Sequence, residues 1–416
     1  MTRVLITVLI ITLMLGSLFT ITASAQIPNA GYCWFSEPKA IQANGNAYLG
    51  YVTNTGAIMI AQYTHATKQT KTFQLNKFEQ DDHNDPAINV LNDGRIIVFY
   101  TRHNADNIMR YRISKTPDIS TLGPEKTLSS AGPTTYAQII YKYPVIVVFY
   151  RSNLNSWNCR ISTDNGATWG PEKYVFNYGS GEQMYIRTSW RWNVQGADCA
   201  DIILSGHPDR GNRHGVRHCY LNIADANNIK IKAPGAIVLL DLKTQQGPIV
   251  TEKIPALYRP EENNNIKAWI WDVYATSNSH ITAVYVTFPS TNDHRYNYAR
   301  YNPATKKFDT KIEFAKGGGR IGEGNEPSYS GGIVFGKQPG MQDVIFASVY
   351  KPTTSRFEIN KYQLVNGAFQ KTPVQQSAAN NYRPVSVING KPDFATYWES
   401  GSYDYYTNIK TNIVAV

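Results

Sequence analysis

Two histidines, His83 and His103, stand twenty residues apart in "DDHNDPAINVLNDGRIIVFYTRHN", residues 81–104. Between them lie an apolar segment, an Asn-Asp-Gly turn and a second apolar segment. That is the pattern of a β-hairpin. In an antiparallel pair the start of one strand lies beside the end of the other, so both imidazoles fall at the open end. The next stretch repeats the layout with other residue types. "TTYAQIIYKYP" puts Tyr136 where the first hairpin has His83, and "VIVVFYRSN" ends on Arg151 near the place of His103. "GEQMYIRTSW" and "IILSGHPDR" then supply Tyr185 and His207. Three neighbouring hairpins aim His, His, Tyr, Arg, Tyr and His at one place.

These residue types suit proton abstraction next to a carboxylate. In β-elimination from a uronic acid, a base takes the C5 proton while the C4–O bond breaks. The proton is weakly acidic until the carboxylate is neutralised, and Arg or a protonated His can stabilise the charge that builds there. A Tyr beside such cations can ionise below its usual pKa of about 10. A neutral His can serve as partner acid or base. No paired-carboxylate pattern stands out, which disfavours ordinary glycoside hydrolysis.

The elements that must carry these groups are short strands rich in Val, Ile, Tyr and Phe, broken by Gly, Pro, Asn and Asp. Long amphipathic helical patterns are almost absent, and the 28 tyrosines fit a β-rich chain. Seven apolar-aromatic strand pairs recur, from "NAYLGYVTNTGAIMIAQY" to "PDFATYWESGSYDYYTNI", each central to a unit of roughly 45 to 60 residues. The expectation is an all-β, seven-bladed β-propeller with four-stranded antiparallel blades. "STDNGATW", 162–169, fits an Asp box. Asp164 can accept backbone N–H groups there, Gly166 frees the backbone and Trp169 plugs the sheet edge. Its role is structural.

Residues 1–25 read as a secretory signal peptide: Arg3, the apolar run "VLITVLIITLMLGSLFTIT", and Ala23-Ser24-Ala25 before Gln26. No other stretch is apolar for long enough to span a membrane. An exported protein with one domain, 26–416, is expected. The net charge of +10, or +9 without Arg3, is scattered rather than striped. It fits an acidic polysaccharide partner and disfavours nucleic acid. A monomer is expected. The four cysteines do not form a disulfide-dense framework; one or two bridges, or a metal site, are open to them. His207, His214, His218 and Cys219 lie within 13 residues, so a structural zinc or calcium ion could sit on His207, His218 and Cys219. The chemistry itself asks for no cofactor.

"GYCWFSEPKA", "DDHNDPAINVLNDGRIIVFYTRHN", "TTYAQIIY", "STDNGATW" and "SGHP" together resemble the BNR-repeat proteins that include the ulvan lyases. "WIWDV", "RYNYARY", "EPSYSGGI", "RFEINKY" and "YRPV" continue the resemblance across almost the whole chain after residue 25. It implies a seven-bladed propeller that cleaves between sulfated rhamnose and glucuronic or iduronic acid by β-elimination. It implies His83 and His103 as the catalytic pair, Tyr136 as the catalytic tyrosine and Arg151 as the carboxylate-neutralising arginine. Tyr185, His207, Arg187, Tyr329 and Arg383 are then substrate-binding candidates. Two other classes stay open. A sialidase-like or rhamnosidase-type hydrolase would draw on Arg151, Arg187 and Arg383 but leave the histidines unexplained. A non-catalytic glycan-binding propeller would need aromatics and charge but not this cluster.

Overall fold

The computed structural model describes residues 25–415 except 191–198, 212–214, 245–246, 278–279, 323, 325, 376 and 392–393. Residues 1–24 of the expected signal peptide and His214 fall outside the described residues. Within them the protein is all-β, with four short 3-10 turns, and no helix is long and apolar enough to cross a membrane.

Strand-turn-strand repeats build four-stranded antiparallel sheets. Ala87–Val90, Ile96–Tyr100, Ile108–Ile113 and Lys126–Ser129 form one. Lys267–Ser277, His280–Ser290, Asp293–Asn302 and Lys307–Gly318 form another. The first strands of successive units pack side by side in a closed cycle: Ala40–Ala43, Ala87–Val90, Thr134–Lys142, Met184–Trp190, Lys267–Ser277, Ile333–Phe335, Asn380–Lys391, then Ala40–Ala43 again. Apolar alternation places Ile58, Ile88, Ile96 and Val98 in one core layer between sheets, and Phe99, Met109, Ile139, Ile146 and Val148 in the next. Ala25–Ile27 pairs antiparallel with Asn408–Ala415, so both ends of the described chain share one sheet.

The Asp box forms as its residue types require. Ser162 Oγ donates to Asp164 Oδ1 at 2.8 Å, and the Thr168 N–H donates to the same oxygen at 2.9 Å. Gly166 sits at φ +85°, where a Cβ would crowd Ile113 and Ile146. Trp169 packs edge-on against Phe99, with ring centroids 5.5 Å apart. The four cysteines are buried and none is in a disulfide among the described residues, so the bridges open to them do not form.

Segment 32–39 crosses the middle of the ring. The Cys33 N–H donates to the Asp82 carbonyl at 3.1 Å, and Glu37 exchanges backbone bonds of 2.8 Å with Ala137 and Ile139. Trp34 stacks on Trp271 at 4.7 Å, 6° from parallel, and meets Trp269 edge-on at 5.3 Å. Phe35 lies 4.3 Å from the Tyr185 ring and 5.4 Å from the Tyr136 ring. This segment is the floor on which the inner strand ends rest. Trp34→Ala should therefore lower the unfolding free energy by about 3–5 kcal/mol. Urea denaturation followed by far-ultraviolet circular dichroism measures it.

Candidate functional site

Asp81 caps the short turn Asp82–Asn84, accepting the His83 N–H at 2.9 Å. The turn lifts His83 to the start of Ala87–Val90, and the paired strand ends near His103. The two rings stack in parallel, 6° apart with centroids at 4.2 Å. One carboxylate ties them: Asp81 Oδ1 meets His83 Nδ1 at 2.7 Å, and Asp81 Oδ2 meets His103 Nδ1 at 2.8 Å. Asp82 Oδ1 stands 2.9 Å from His83 Nδ1 as well. The donor atoms of Asp81, His83 and His103 lie within 4.8 Å of one another, and each of the three is engaged with another of the set.

The electrostatics give the pair one positive charge. Burial alone would lower the His83 pKa, but the carboxylates of Asp81 and Asp82 raise it to about 9. Burial lowers the His103 pKa to about 4, with the His83 cation adding to this and Asp81 pulling the other way. Burial favours a protonated Asp81, yet the His83 charge and both imidazole hydrogen bonds hold it well below the usual carboxylate range. His83 is thus an imidazolium, and His103 is neutral with Nδ1 turned to Asp81. The His103 side chain, 20% exposed, is the open member of the pair.

Tyr136 sits 5.7 Å from the His83 ring. Its φ is +62°, at a bulge between Thr135 and Gln138. That left-handed backbone is costly for a bulky residue and turns its ring inward. Arg151 places its guanidinium 4.8 Å over Tyr136 and 5.2 Å over Tyr185. Tyr185 in turn lies 5.7 Å from His207, which packs 4.4 Å from Trp269. All six residues read from the three hairpins form one contiguous cluster. One expectation fails. Burial pushes the Tyr136 phenol well above its usual value, with Cys33 and Tyr185 adding to this, and Arg151 does not offset it. Tyr136 is a protonated phenol, not a ready tyrosinate.

Three buried arginines from the sequence candidates part company here. Arg187 pairs with Glu37 at 2.7 Å and Asp272 at 3.3 Å, and Lys337 meets the same Asp272 at 3.0 Å. Arg383 pairs with Asp82 at 2.6 Å. Arg151 has no carboxylate partner among the described residues. Its Nη2 reaches Thr135 Oγ1 at 3.4 Å, and its Nε and Nη1 have no hydrogen-bond partner there. Two of the three arginines that a sialidase-like triad would use are thus already paired with carboxylates of the protein. Tyr329 lies 5.4 Å from Trp34 and 5.9 Å from Trp269.

The expected metal trio does not assemble. His218 and Cys219 are successive residues of the strand Val216–Asn222, so their side chains leave opposite faces. His218 Nε2 meets Asp201 Oδ1 at 2.8 Å, and the fully buried Cys219 thiol is held protonated by that burial. His207 stays at the rim with Trp269.

Asp81 and Asp82 were missed as site residues, although "DDHN" places them directly before His83. Tyr406, edge-on to His83 at 4.8 Å, comes from the far end of the chain and carried no local signal. A groove of ≈ 510 Å³ follows the same rim, lined by Asn104, Asn153, Leu154, Gln183 and Arg210. A second cavity of ≈ 370 Å³ lies at the other end of the inner strands, beside Val90, Tyr141 and Ser189, and holds none of the His, Tyr and Arg cluster.

A family model described as a BNR repeat-containing family member matches residues 46–312. Among solved structures, a PL25 ulvan lyase bound to -[GlcA(1-4)Rha3S]- superposes with a TM-score of 0.68 at 15% identity, over 94% of this chain and 96% of its own. The polysaccharide lyase Uly1 superposes with a TM-score of 0.57 at 10% identity, over 91% and 89%. At such identities the likeness is one of fold. No curated protein matches the chain.

The contrast between arginines is measurable. Arg187→Met leaves Glu37 and Asp272 buried with too little positive charge and should cost about 3–5 kcal/mol of stability. Arg151→Met removes a buried cation that has no counter-charge and should cost little or even stabilise. Urea midpoints of the two variants check the difference; equal losses would contradict it.

Proposed function

The chain belongs to the BNR repeat-containing family, and from that membership and the geometry of its rim cluster we propose that it is a polysaccharide lyase acting on a uronate-containing glycan by β-elimination. The observation that carries the proposal is Arg151: a fully buried guanidinium, free of any described carboxylate, beside one neutral and one protonated imidazole and a protonated phenol. A buried cation without a counter-charge is costly unless an anion arrives. A substrate carboxylate is such an anion, and neutralising it is what acidifies the adjacent C–H.

The roles follow from protonation states. Arg151 holds the uronate carboxylate. His103, neutral and open, takes the C5 proton on Nε2 while Asp81 steadies Nδ1. The C5–H electron pair becomes the C4–C5 double bond, and the C4–O bond breaks. Tyr136 Oη gives its proton to the leaving oxygen. The His83 cation faces the charge that develops between them. Tyr185 and His207, packed against Arg151 and Trp269, complete the wall of the cluster. A sulfated, ulvan-like polymer is the proposed substrate; the resemblance in "DDHN…FYTRH" and the glycan held by the similar PL25 structure support it.

The same proposal takes the fold as seven four-stranded blades. Its support is the closed cycle of first strands. The nine-stranded sheet is then two blades joined at the single parallel pair Ile41–Ile388, with Ala25–Ile27 completing the last. The further proposals are a single domain over 26–416, export after removal of residues 1–25, a monomeric state and no metal in the chemistry. They rest on the apolar leader, the evenly repeated units and the all-protein proton inventory.

Purified protein mixed with ulvan should raise the ultraviolet absorbance of unsaturated uronate ends. New reducing ends without that absorbance would mean hydrolysis, and retention on the polymer without either would mean binding alone. Arg151→Lys keeps the charge but loses the planar fork and should cut turnover by about 100-fold. Tyr136→Phe should do the same with little change in KM. Turnover should rise with pH through about 4, where His103 loses its proton and becomes a base, and fall through about 9, where the His83 cation is lost. A pH–rate profile that is flat across this window contradicts the assignment.

A further inference from the structure

Arg383 is among the largest fully buried side chains. Its Nη1 donates to Asp82 Oδ2 at 2.6 Å and to the Tyr32 carbonyl at 2.7 Å. The guanidinium lies 3.9 Å over the Tyr403 ring, and Tyr403 Oη donates to the same Asp82 oxygen at 2.9 Å. Glu399 stands 3.8 Å from Nη1. On the other side, Asp82 Oδ1 faces His83 Nδ1 at 2.9 Å. Asp82 is therefore one carboxylate between two cations, supplied by sheets at opposite ends of the chain. The backbone is shaped for it. Arg383 has φ +48° in a bulge of Asn380–Lys391, and its N–H donates to the Gly331 carbonyl at 2.6 Å. A Cβ at Gly332 would come within 3.0 Å of the Arg383 Cα. Strain of this kind persists where the surroundings over-determine it.

We propose that Arg383 is a positioning residue for the His83–His103 pair, acting through Asp82 and sharing that carboxylate's negative charge with His83. It is not a substrate ligand. The kinetic consequence rests on the lyase reading above; the electrostatic one does not. The groups that face His83 are Asp81 and Asp82 from its own turn, His103 from the paired strand and Tyr136 from the adjacent sheet. Cys33 from the central segment and Tyr406 from the closing sheet complete the set. Of these, Asp82 is the one hydrogen-bonded to Arg383.

With the guanidinium gone, the Asp82 charge acts on His83 alone, and His83 holds its proton more tightly. Arg383→Gln should move the His83 titration upward by about one pH unit. Tyr403→Phe removes one hydrogen bond from the same oxygen with almost no change in volume. It should move the titration in the same direction by less, and it keeps the test decisive if Arg383→Gln does not fold. The measurement is the pH dependence of the His83 ring resonance in histidine-labelled protein, assigned with His83→Gln. It needs no turnover, so a failed lyase assay leaves it standing. If the protein is a lyase, the alkaline limb of the rate profile should shift with the resonance while KM stays within about twofold. A raised KM with an unmoved His83 titration would make Arg383 a substrate ligand and overturn the proposal. A lowered unfolding midpoint with no movement of the titration in either variant would make it a packing residue, and overturn it equally.

Discussion

One carboxylate, Asp81, holds two parallel imidazoles 4.2 Å apart, and the rest of the site is arranged around that constraint. Two imidazolium rings at that distance would repel each other strongly in a medium that screens poorly. The cluster resolves this by asymmetry. His83 faces two carboxylates, which outweigh its burial, so it keeps a proton; His103, desolvated by burial and facing the His83 cation, gives its proton up. The Asp81 carboxylate fixes both rings by Nδ1, which leaves the Nε2 edge of the neutral ring available. A cation and a base thus stand side by side, made from the same residue type by their surroundings alone.

The burial that separates the two histidines also sorts the arginines. A guanidinium out of water requires compensation. Arg187 receives it from Glu37 and Asp272, and Arg383 from Asp82, all within the protein. Arg151 has aromatic faces and hydroxyl groups around it but no described carboxylate. Its uncompensated charge is a standing preference for an anion at that spot. The Tyr136 phenol beneath it keeps its proton because burial penalises the phenolate by more than the guanidinium over the ring favours it. A charge-selective pocket and a proton donor therefore arise from one packing arrangement.

That arrangement depends on the centre of the ring being filled. Segment 32–39 runs between the inner strands, trades backbone bonds with them and places Trp34 and Phe35 under Tyr136, Tyr185 and Trp269. Bulges at Tyr136 and Arg383, both with positive φ, turn those side chains toward this floor. Regular strands would send alternate side chains to the sheet faces. The irregular residues are the ones that do otherwise.

The amino-acid sequence by itself determined the strand-and-turn repeat, the Asp box and the shared rim of three neighbouring hairpins, because these depend on period-two alternation and turn chemistry within short stretches of chain. It also placed His83, His103, Tyr136, Arg151, Tyr185 and His207 in one cluster, since equivalent positions of neighbouring hairpins must meet. Which histidine is charged, which arginine is free, whether Tyr136 ionises, and whether His207, His218 and Cys219 converge were decided by the tertiary structure. The first three answers depend on groups from distant parts of the chain. Asp82 and Arg383 are 301 positions apart, and Arg187 and Asp272 are 85 apart. Local patterning says which face a side chain takes. Desolvation and pairing are set by what faces it from another sheet, and only the closed ring supplies that.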